Sequence, residues 1–406
     1  MTTRVIEGDD VEATSISPAL TFLLATACGL IAANLYYGQP LAGIIGAELG
    51  LSAGATGLIV TLTQIGYGIG LLFVVPLGDL VENRKLVVSA VAMAVLSLVA
   101  AAFAPHAAPF LVAAFLVGVS SVAVQVIVPY AAHMAPHAIR GRVVGNVMSG
   151  LMAGIMLARP VSSLLSEVVS WRGVFLTSAA VMALLAVVLF RLLPARMPDA
   201  RLSYGALMAS MGRLALHTPI LRRRAIYHAF LFAAFSLFWT TTPLYLSGPH
   251  FNLSQGEIAL FALAGAAGTV AAPIAGRMAD RGWTRAATFF ALVAVALSFA
   301  VTHLAPEGSH LALAILVVAA IVLDFGVTTN LVLGQRAIFT LGAEFRSRLN
   351  GIYMATFFMG GAIGSAVGGW AYAVGEWQAA SWIGFALPVA ALLYFLTEKR
   401  DGNTTK

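Results

Sequence analysis

Long apolar runs separated by short polar breaks fill the chain from about Pro18 to Thr397. They fall at roughly 18–38, 53–78, 86–104, 108–134, 143–168 and 171–193, then at 224–247, 255–279, 285–304, 310–336, 348–374 and 378–397. Each run is close to the ~20 residues that a helix needs to cross the hydrocarbon core of a bilayer. The runs are continuous and rich in Ala, Leu and Gly, whereas barrel strands are short and alternate in polarity. Inside a bilayer a helix satisfies its own backbone, so the pattern predicts an all-α membrane protein of twelve transmembrane helices.

Polar positions supply the topology. Arg84 and Lys85, Arg140 and Arg142, the stretch from Arg191 to Arg224, Arg277 to Arg285, Arg336 to Arg348, and Lys399 to Lys406 fall in alternate connections, on the side of Arg4. Only Arg159 and Arg172 of the 23 Lys and Arg lie elsewhere, and the opposite connections carry Glu48, Glu167, Glu257, Glu307 and Glu376. The positive-inside rule then places both termini in the cytoplasm of a bacterial inner membrane. Residues 1–17 read as a disordered cytoplasmic tail, because they are acidic and lack the basic start of a signal peptide. A second tail follows at 398–406. Residues 194–223, basic and carrying Pro194, Pro198 and Pro219, read as a linker between six-helix bundles at 18–193 and 224–397.

Composition agrees. The chain is 60% hydrophobic and 10% charged, against roughly 25% charged in a soluble domain. The net charge of +6 is spread over connections and forms no nucleic-acid patch. A lone cysteine, Cys28, excludes an internal disulfide and a thiolate metal cage. No Walker lysine, zinc spacing or nucleophile elbow appears, so neither an enzyme nor a cofactor is expected.

The halves repeat weakly. Pro40 matches Pro243 and Asp79 matches Asp280, while Arg140-Gly-Arg142 with Gly145 aligns with Arg346-Ser-Arg348 and Gly351, and Trp171 aligns with Trp377, at an offset of 206 (346 minus 140). Parallel repeats of this kind place a solute pathway between two halves. The segment Val75-Pro-Leu77-Gly78-Asp79-Leu80-Val-Glu82-Asn83-Arg84-Lys85 is a degenerate copy of G-x-L-A-D-R-x-G-R-R, and Gly276-Arg-Met-Ala279-Asp280-Arg281-Gly282 is a fuller one. On these residues the whole chain resembles the major facilitator superfamily. The run from Gly150 through Gly154 to Ala158-Arg159-Pro160 partly resembles the G-x-x-x-G-P-x-x-G-G motif of its drug/proton antiporter branches. The segments around Asn34-Leu-Tyr36-Tyr37 and Gln64 look like bacterial sugar or drug exporters.

The resemblance implies alternating access, a central cavity lined by helices 1, 4, 7 and 10, and a gate at the two signature copies. Asp79, Arg84, Arg142, Asp280, Arg281 and Arg348 are the gating candidates, since a carboxylate at a helix C-terminus needs a cationic partner. Arg84 and Arg142 are the expected partners of Asp79; Arg281, Arg285 and Arg348 are those of Asp280. The plain reading of these groups is ordinary loop charge. Asn34, Tyr37, Gln125, Arg159, Trp239 and Asp324 are the candidate solute contacts.

Arg159 and Asp324 stand apart chemically. Arg159 lies about sixteen residues into its run, roughly 24 Å from the basic end, where an unpartnered guanidinium is costly. It reads as a structural ion pair or carbonyl cap, or as an anion, substrate or coupling element. Asp324 is the only acidic side chain in the middle of a run. A lone ionised carboxylate in hydrocarbon is expensive, which makes Asp324 the candidate proton carrier, or else a permanent partner of a cation. Depths differing by roughly 8 Å argue against direct contact with Arg159. His133 and His228, near the basic ends of their runs, are secondary coupling candidates.

The leading expectation is a monomeric secondary transporter that exports a small organic solute or drug against protons. The alternatives are uptake or exchange of a small organic anion at Arg159 and, more remotely, a non-transporting membrane receptor.

Overall fold

The computed structural model describes residues 16–136, 139–198, 203–342 and 345–398. The tails at 1–15 and 399–406, with their expected disorder and location, lie outside the described residues. Fourteen α-helices and no strand are found among those described.

Helices α1 (Pro18–Ala33) and α2 (Gly38–Leu49) form the first crossing, continuing past the expected end at 38 through a turn at 34–37. Pro40 sits in the first turn of α2, where its missing N–H leaves nothing unsatisfied. Then come α3 (Leu58–Phe73), flanked by short 3-10 turns, α4 (Asn83–Ala102), and α5 (Ala107–Ser121) with α6 (Ala123–Met134). Helix α7 (Arg140–Leu192) runs for 53 residues, long enough to cross twice. It breaks at Ser170, φ 65°. The linker carries an amphipathic helix, α8 (Tyr204–His217), whose Leu207 and Met211 are buried. Helix α9 (Pro219–Ser247) starts at a proline, five residues before the expected 224. The rest are α10 (Gln255–Ala262) and α11 (Ala271–Asp280), joined by a 3-10 stretch at Leu263–Val270, then α12 (Thr284–Ala300), α13 (His310–Phe339) and the 51-residue α14 (Arg346–Leu396). Helix α14 breaks at Gly375 and Glu376.

Ten stretches are long and apolar enough to cross a membrane among the described residues. Dividing α7 and α14 at their breaks gives twelve segments of crossing length, as many as the apolar runs in the sequence. Each break is followed by a buried tryptophan that fixes it. Trp171 donates to Glu48 at 2.5 Å and Trp377 to Thr302 at 3.2 Å, so the repeat at offset 206 marks two equivalent corners.

Contacts sort the connections into two ends. At one, Arg196 reaches Asn83, Tyr130 reaches Pro194, and Arg285 reaches the Glu398 carbonyl. At the other, Arg172 pairs with Glu48 at 2.9 Å and holds the Ala102 and Ala104 carbonyls, while Glu167 accepts from the Gly256 amide. We call these the basic and acidic ends. His250 lies 3.4 Å from both Glu307 and Glu376 at the acidic end. Tyr245, near the acidic end of α9, is buried and stacked on Trp377 at 5.0 Å.

Glycine sets the closest helix crossings. The α1–α7 seam brings Gly29 against Gly150 and Gly154, and a Cβ on Gly154 would collide with the Gly29 backbone. Backbone cannot yield as a side-chain tip can. Gly154→Leu is expected to cost about 3 kcal/mol through forced separation, lowering folded yield and the thermal midpoint. A Cβ on Gly145 of the same helix meets nothing within 4 Å, so Gly145→Leu should leave both unchanged. Equal behaviour of the two variants in fluorescence-detected size exclusion would remove the seam from the packing account.

Candidate functional site

The two halves are pressed together at the acidic end. Gly57 of the first half lies against the Ser365 carbonyl and Gly369 of α14, Thr61 shares a 2.7 Å hydrogen bond with Ser365, and Thr61 also donates to the Ala362 carbonyl at 3.2 Å. Toward the basic end a cavity of about 360 Å³ separates them, lined by Leu71, Gln125 and Pro129 from one half and by Phe339, Arg346 and Asn350 from the other. The seam between α3 and α14 continues past it, with the Tyr67 and Phe358 rings 4.4 Å apart.

Between these ends lies a buried polar cluster spanning both halves. Arg159, on α7 beside the helix-interior Pro160, is 4% exposed. Its Nε donates to Gln39 Oε1 at 2.7 Å. Three aromatic rings surround its guanidinium, with centroids 4.5 Å away for Trp239, 5.0 Å for Tyr36 and 5.2 Å for Phe235. Such faces attract a desolvated cation by roughly 2 kcal/mol at best, and they accept no conventional hydrogen bond. One terminal nitrogen of Arg159 is left without an acceptor.

Gln39 completes the picture. A guanidinium only donates, so the amide oxygen of Gln39 must face it and the amide nitrogen must point elsewhere. That nitrogen is buried and has no partner. Two donors held together by one hydrogen bond therefore lack acceptors. Ser163, one turn beyond Arg159 on α7, is also buried with an unpartnered hydroxyl.

Asp324, on α13, is 7% exposed. Its Oδ1 accepts from the Trp239 indole N–H at 2.9 Å. The other oxygen faces Gly265, where a Cβ would stand 2.7 Å from it, and Gly268 passes under its Cβ. Any side chain at those two positions would displace the carboxyl. Arg159 and Asp324 form no ion pair within 4.0 Å among the described side chains, as their depths predict. The Trp239 ring joins them, stacked on the cation and bonded to the acid.

Arg159, Trp239 and Asp324 thus meet from α7, α9 and α13. Asn34, on the N-terminal side of the same turn as Tyr36, accepts from Ser178 at 2.6 Å within the first half. Tyr37 is half-buried against the apolar clusters of both halves. Gln125 donates to Tyr67 at 3.0 Å beside the cavity near the basic end, away from Arg159. His228 is stacked on Phe357 at 4.4 Å and Tyr353 at 5.3 Å, with Asn330 at 3.1 Å, and His133 contacts the Pro129 carbonyl. Sequence reasoning missed Gln39, Tyr36 and Phe235 as contacts of Arg159. Gln39 left a signal: an amide inside an apolar segment must find partners.

The expected gate partners need correction. Asp280 pairs with Arg336, not with Arg281, Arg285 or Arg348, because α13 runs on to Phe339 and brings Arg336 beside the end of α11. Arg336 also donates to the Gly276 carbonyl at 3.0 Å, so one side chain serves both the carboxylate and an open helix end. Arg281 lies over Trp283, and Arg285 serves Glu398. Arg84 pairs with Glu82 at 3.4 Å and Arg142 lines a groove between α1 and α7, so neither forms an ion pair with Asp79 among the described residues. The charges acting on Asp79 are His133 of its own half, then Arg196 of the linker, then Arg348 of the other half; Asp79 and Arg348 line one small cavity with Leu207 and Met211 of α8. Arg348 also donates to Ser210.

Comparison with known proteins agrees with this architecture. The Major Facilitator Superfamily sequence model matches residues 21–342. The chain is 39% identical over 377 residues to the uncharacterized transporter YgaY of Escherichia coli O157:H7, covering 93% of each. The crystal structure of the nucleoside transporter NupG superposes with a TM-score of 0.74 at 16% identity, over 93% of this chain and 100% of that one. A D-xylose-proton symporter superposes with a TM-score of 0.73 at 14% identity, over 94% and 98%. With its two-fold repeat, helical crossings and polar cluster between the halves, the chain belongs to the major facilitator superfamily of membrane transporters.

Proposed function

We propose that this transporter couples proton movement to a small organic anion, with Asp324 as the proton site and Arg159 with Gln39 as the solute site. The pair of buried donors without acceptors carries this reading. A desolvated guanidinium with an unpartnered terminal nitrogen is costly, and an anion that accepts from both Arg159 and Gln39 offsets that cost. The apolar rings around the cation exclude water and leave the acceptor to be supplied by the solute. Asp324 gives the site a single exchangeable charge on the opposite half, and the solved D-xylose-proton symporter is an instance of this fold working with protons.

Export of a small organic solute or drug against protons is the second reading. It is supported by the run from Gly150 to Pro160, which resembles the antiporter motif and whose glycines form the α1–α7 seam. Under either reading Asp79 with Arg348, from opposite halves, forms the gate at the basic end, Asp280 with Arg336 braces the second-half side of it, and that end faces the cytoplasm of the inner membrane.

A ligand panel separates the two. Small carboxylates, sulfonates and phosphonates should raise the thermal midpoint of the purified protein more than neutral or cationic analogues, and Arg159→Gln should lose that preference by at least about tenfold in affinity, the equivalent of one charged hydrogen bond. Stabilisation by cationic or neutral compounds alone, unchanged in Arg159→Gln, would leave export as the better reading.

A further inference from the structure

Trp239 touches both charged groups of the site, through two different parts of the same ring system. Its indole N–H can only donate. That donor holds Oδ1 of Asp324 more tightly when the carboxyl is ionised than when it is neutral, because charge-assisted hydrogen bonds are the stronger kind. The face of the ring meanwhile supports the guanidinium of Arg159. A change of charge at Asp324 therefore alters the hold on the ring that carries Arg159. The link runs between halves, since Asp324 and Trp239 belong to the second and Arg159 to the first.

The sign of the coupling follows from charge. Facing Asp324 are Arg159 from α7, the Tyr36 phenol from the turn between α1 and α2, Trp239 from α9 and the backbone at Gly265 and Gly268. An ionised Asp324 partly neutralises Arg159 and repels an incoming anion. A proton on Asp324 removes both effects and leaves Arg159 to the solute. Proton and anion favour one another, whereas a cationic solute would compete with the proton.

Resting on the anion reading above, we propose that Trp239 is the positioning residue through which a proton on Asp324 and an anion on Arg159 load together and travel in the same direction. By reciprocity, anion binding must also draw a proton onto the protein.

Two measurements on the full chain in nanodiscs test this. Affinity for lactate and benzoate should fall by about tenfold for each unit rise in pH over the range where one proton is linked. Trp239→Phe keeps an aromatic face under Arg159 but loses the N–H, and should bind with a clearly shallower slope, the remainder being the direct action of the Asp324 charge on Arg159; Asp324→Asn should bind with no slope. A wild-type slope retained in Trp239→Phe, or anion affinity that rises with pH in the wild type, overturns the proposal. With indole-¹⁵N labelling, the Trp239 signal, identified by its loss in Trp239→Phe, should move with pH in the wild type and stay fixed in Asp324→Asn. A signal indifferent to Asp324 sinks the link by itself. Failure of both carboxylates to bind at any pH, with a titrating indole, overturns joint loading through the anion reading and leaves Trp239 as a sensor of the proton alone.

Discussion

In proteoliposomes carrying Asp324→Asn, accumulation of solute driven by a pH gradient is expected to fall to background, roughly a 100-fold loss, while exchange of solute across the membrane without a gradient should continue. Asparagine is nearly isosteric with the neutral acid, and its amide oxygen can still accept from Trp239. The site keeps its shape. What disappears is the difference between a loaded and an unloaded proton site, and without a differential affinity for the two states no gradient can do work. Counterflow needs only that the protein open alternately with solute bound, so it survives. Gradient-driven accumulation at the wild-type rate in Asp324→Asn would remove this carboxyl from the coupling mechanism, and loss of counterflow would show that the amide had damaged the site itself.

Gly57→Leu is expected to hold the acidic end open. A Cβ there meets the Ser365 carbonyl and the Gly369 backbone, neither of which can step aside without parting the two halves. Closure also brings Thr61 onto Ser365 and Ala362, bonds that the displaced helix would lose. A penalty of about 3 kcal/mol moves the balance between the facing states by roughly 100-fold. The single buried cysteine makes the test clean. In a Cys28→Ser background, Ser365→Cys is fully buried by the closed seam and should resist a membrane-impermeant maleimide, and adding Gly57→Leu should make it react while solute transport falls. Gly141→Leu, at a position where a Cβ meets nothing within 4 Å, is the control. Unchanged labelling with normal transport would show that this seam is not what closes the acidic end.

These expectations rest on features of unequal visibility in the sequence. Crossing helices announce themselves, because each needs about 20 apolar residues and little else. Even the corners at Ser170 and Gly375 were marked, as breaks between adjoining runs followed by Trp171 and Trp377. Arg159 and Asp324 stood out as charges where charges are expensive. Their partners did not. Gln39 lies in the continuation of the first crossing through α2, which the hydropathy pattern ended at 38. Phe235 and Tyr36 were indistinguishable from core aromatics, since which face of a helix meets a guanidinium depends on packing between halves. The gate pairs failed for a related reason. Asp280 selects Arg336 over nearer basic residues in the sequence because α13 extends a turn farther than its apolar run and lies alongside α11.

The corners carry a mechanical consequence. At Ser170 and again at Glu376 the chain turns from one crossing into the next with no loop, held by a buried tryptophan on the far side. Two crossings welded at one tip cannot slide past each other; they swing as a single hairpin. Arg159 rides on the inner arm of one such hairpin, while the outer arm exposes Leu184, Val187 and Phe190 to the surrounding hydrocarbon. A swing of such a hairpin would carry that apolar face through the surrounding lipid, so the resistance of the bilayer to lateral displacement would enter the rate of any change in facing state.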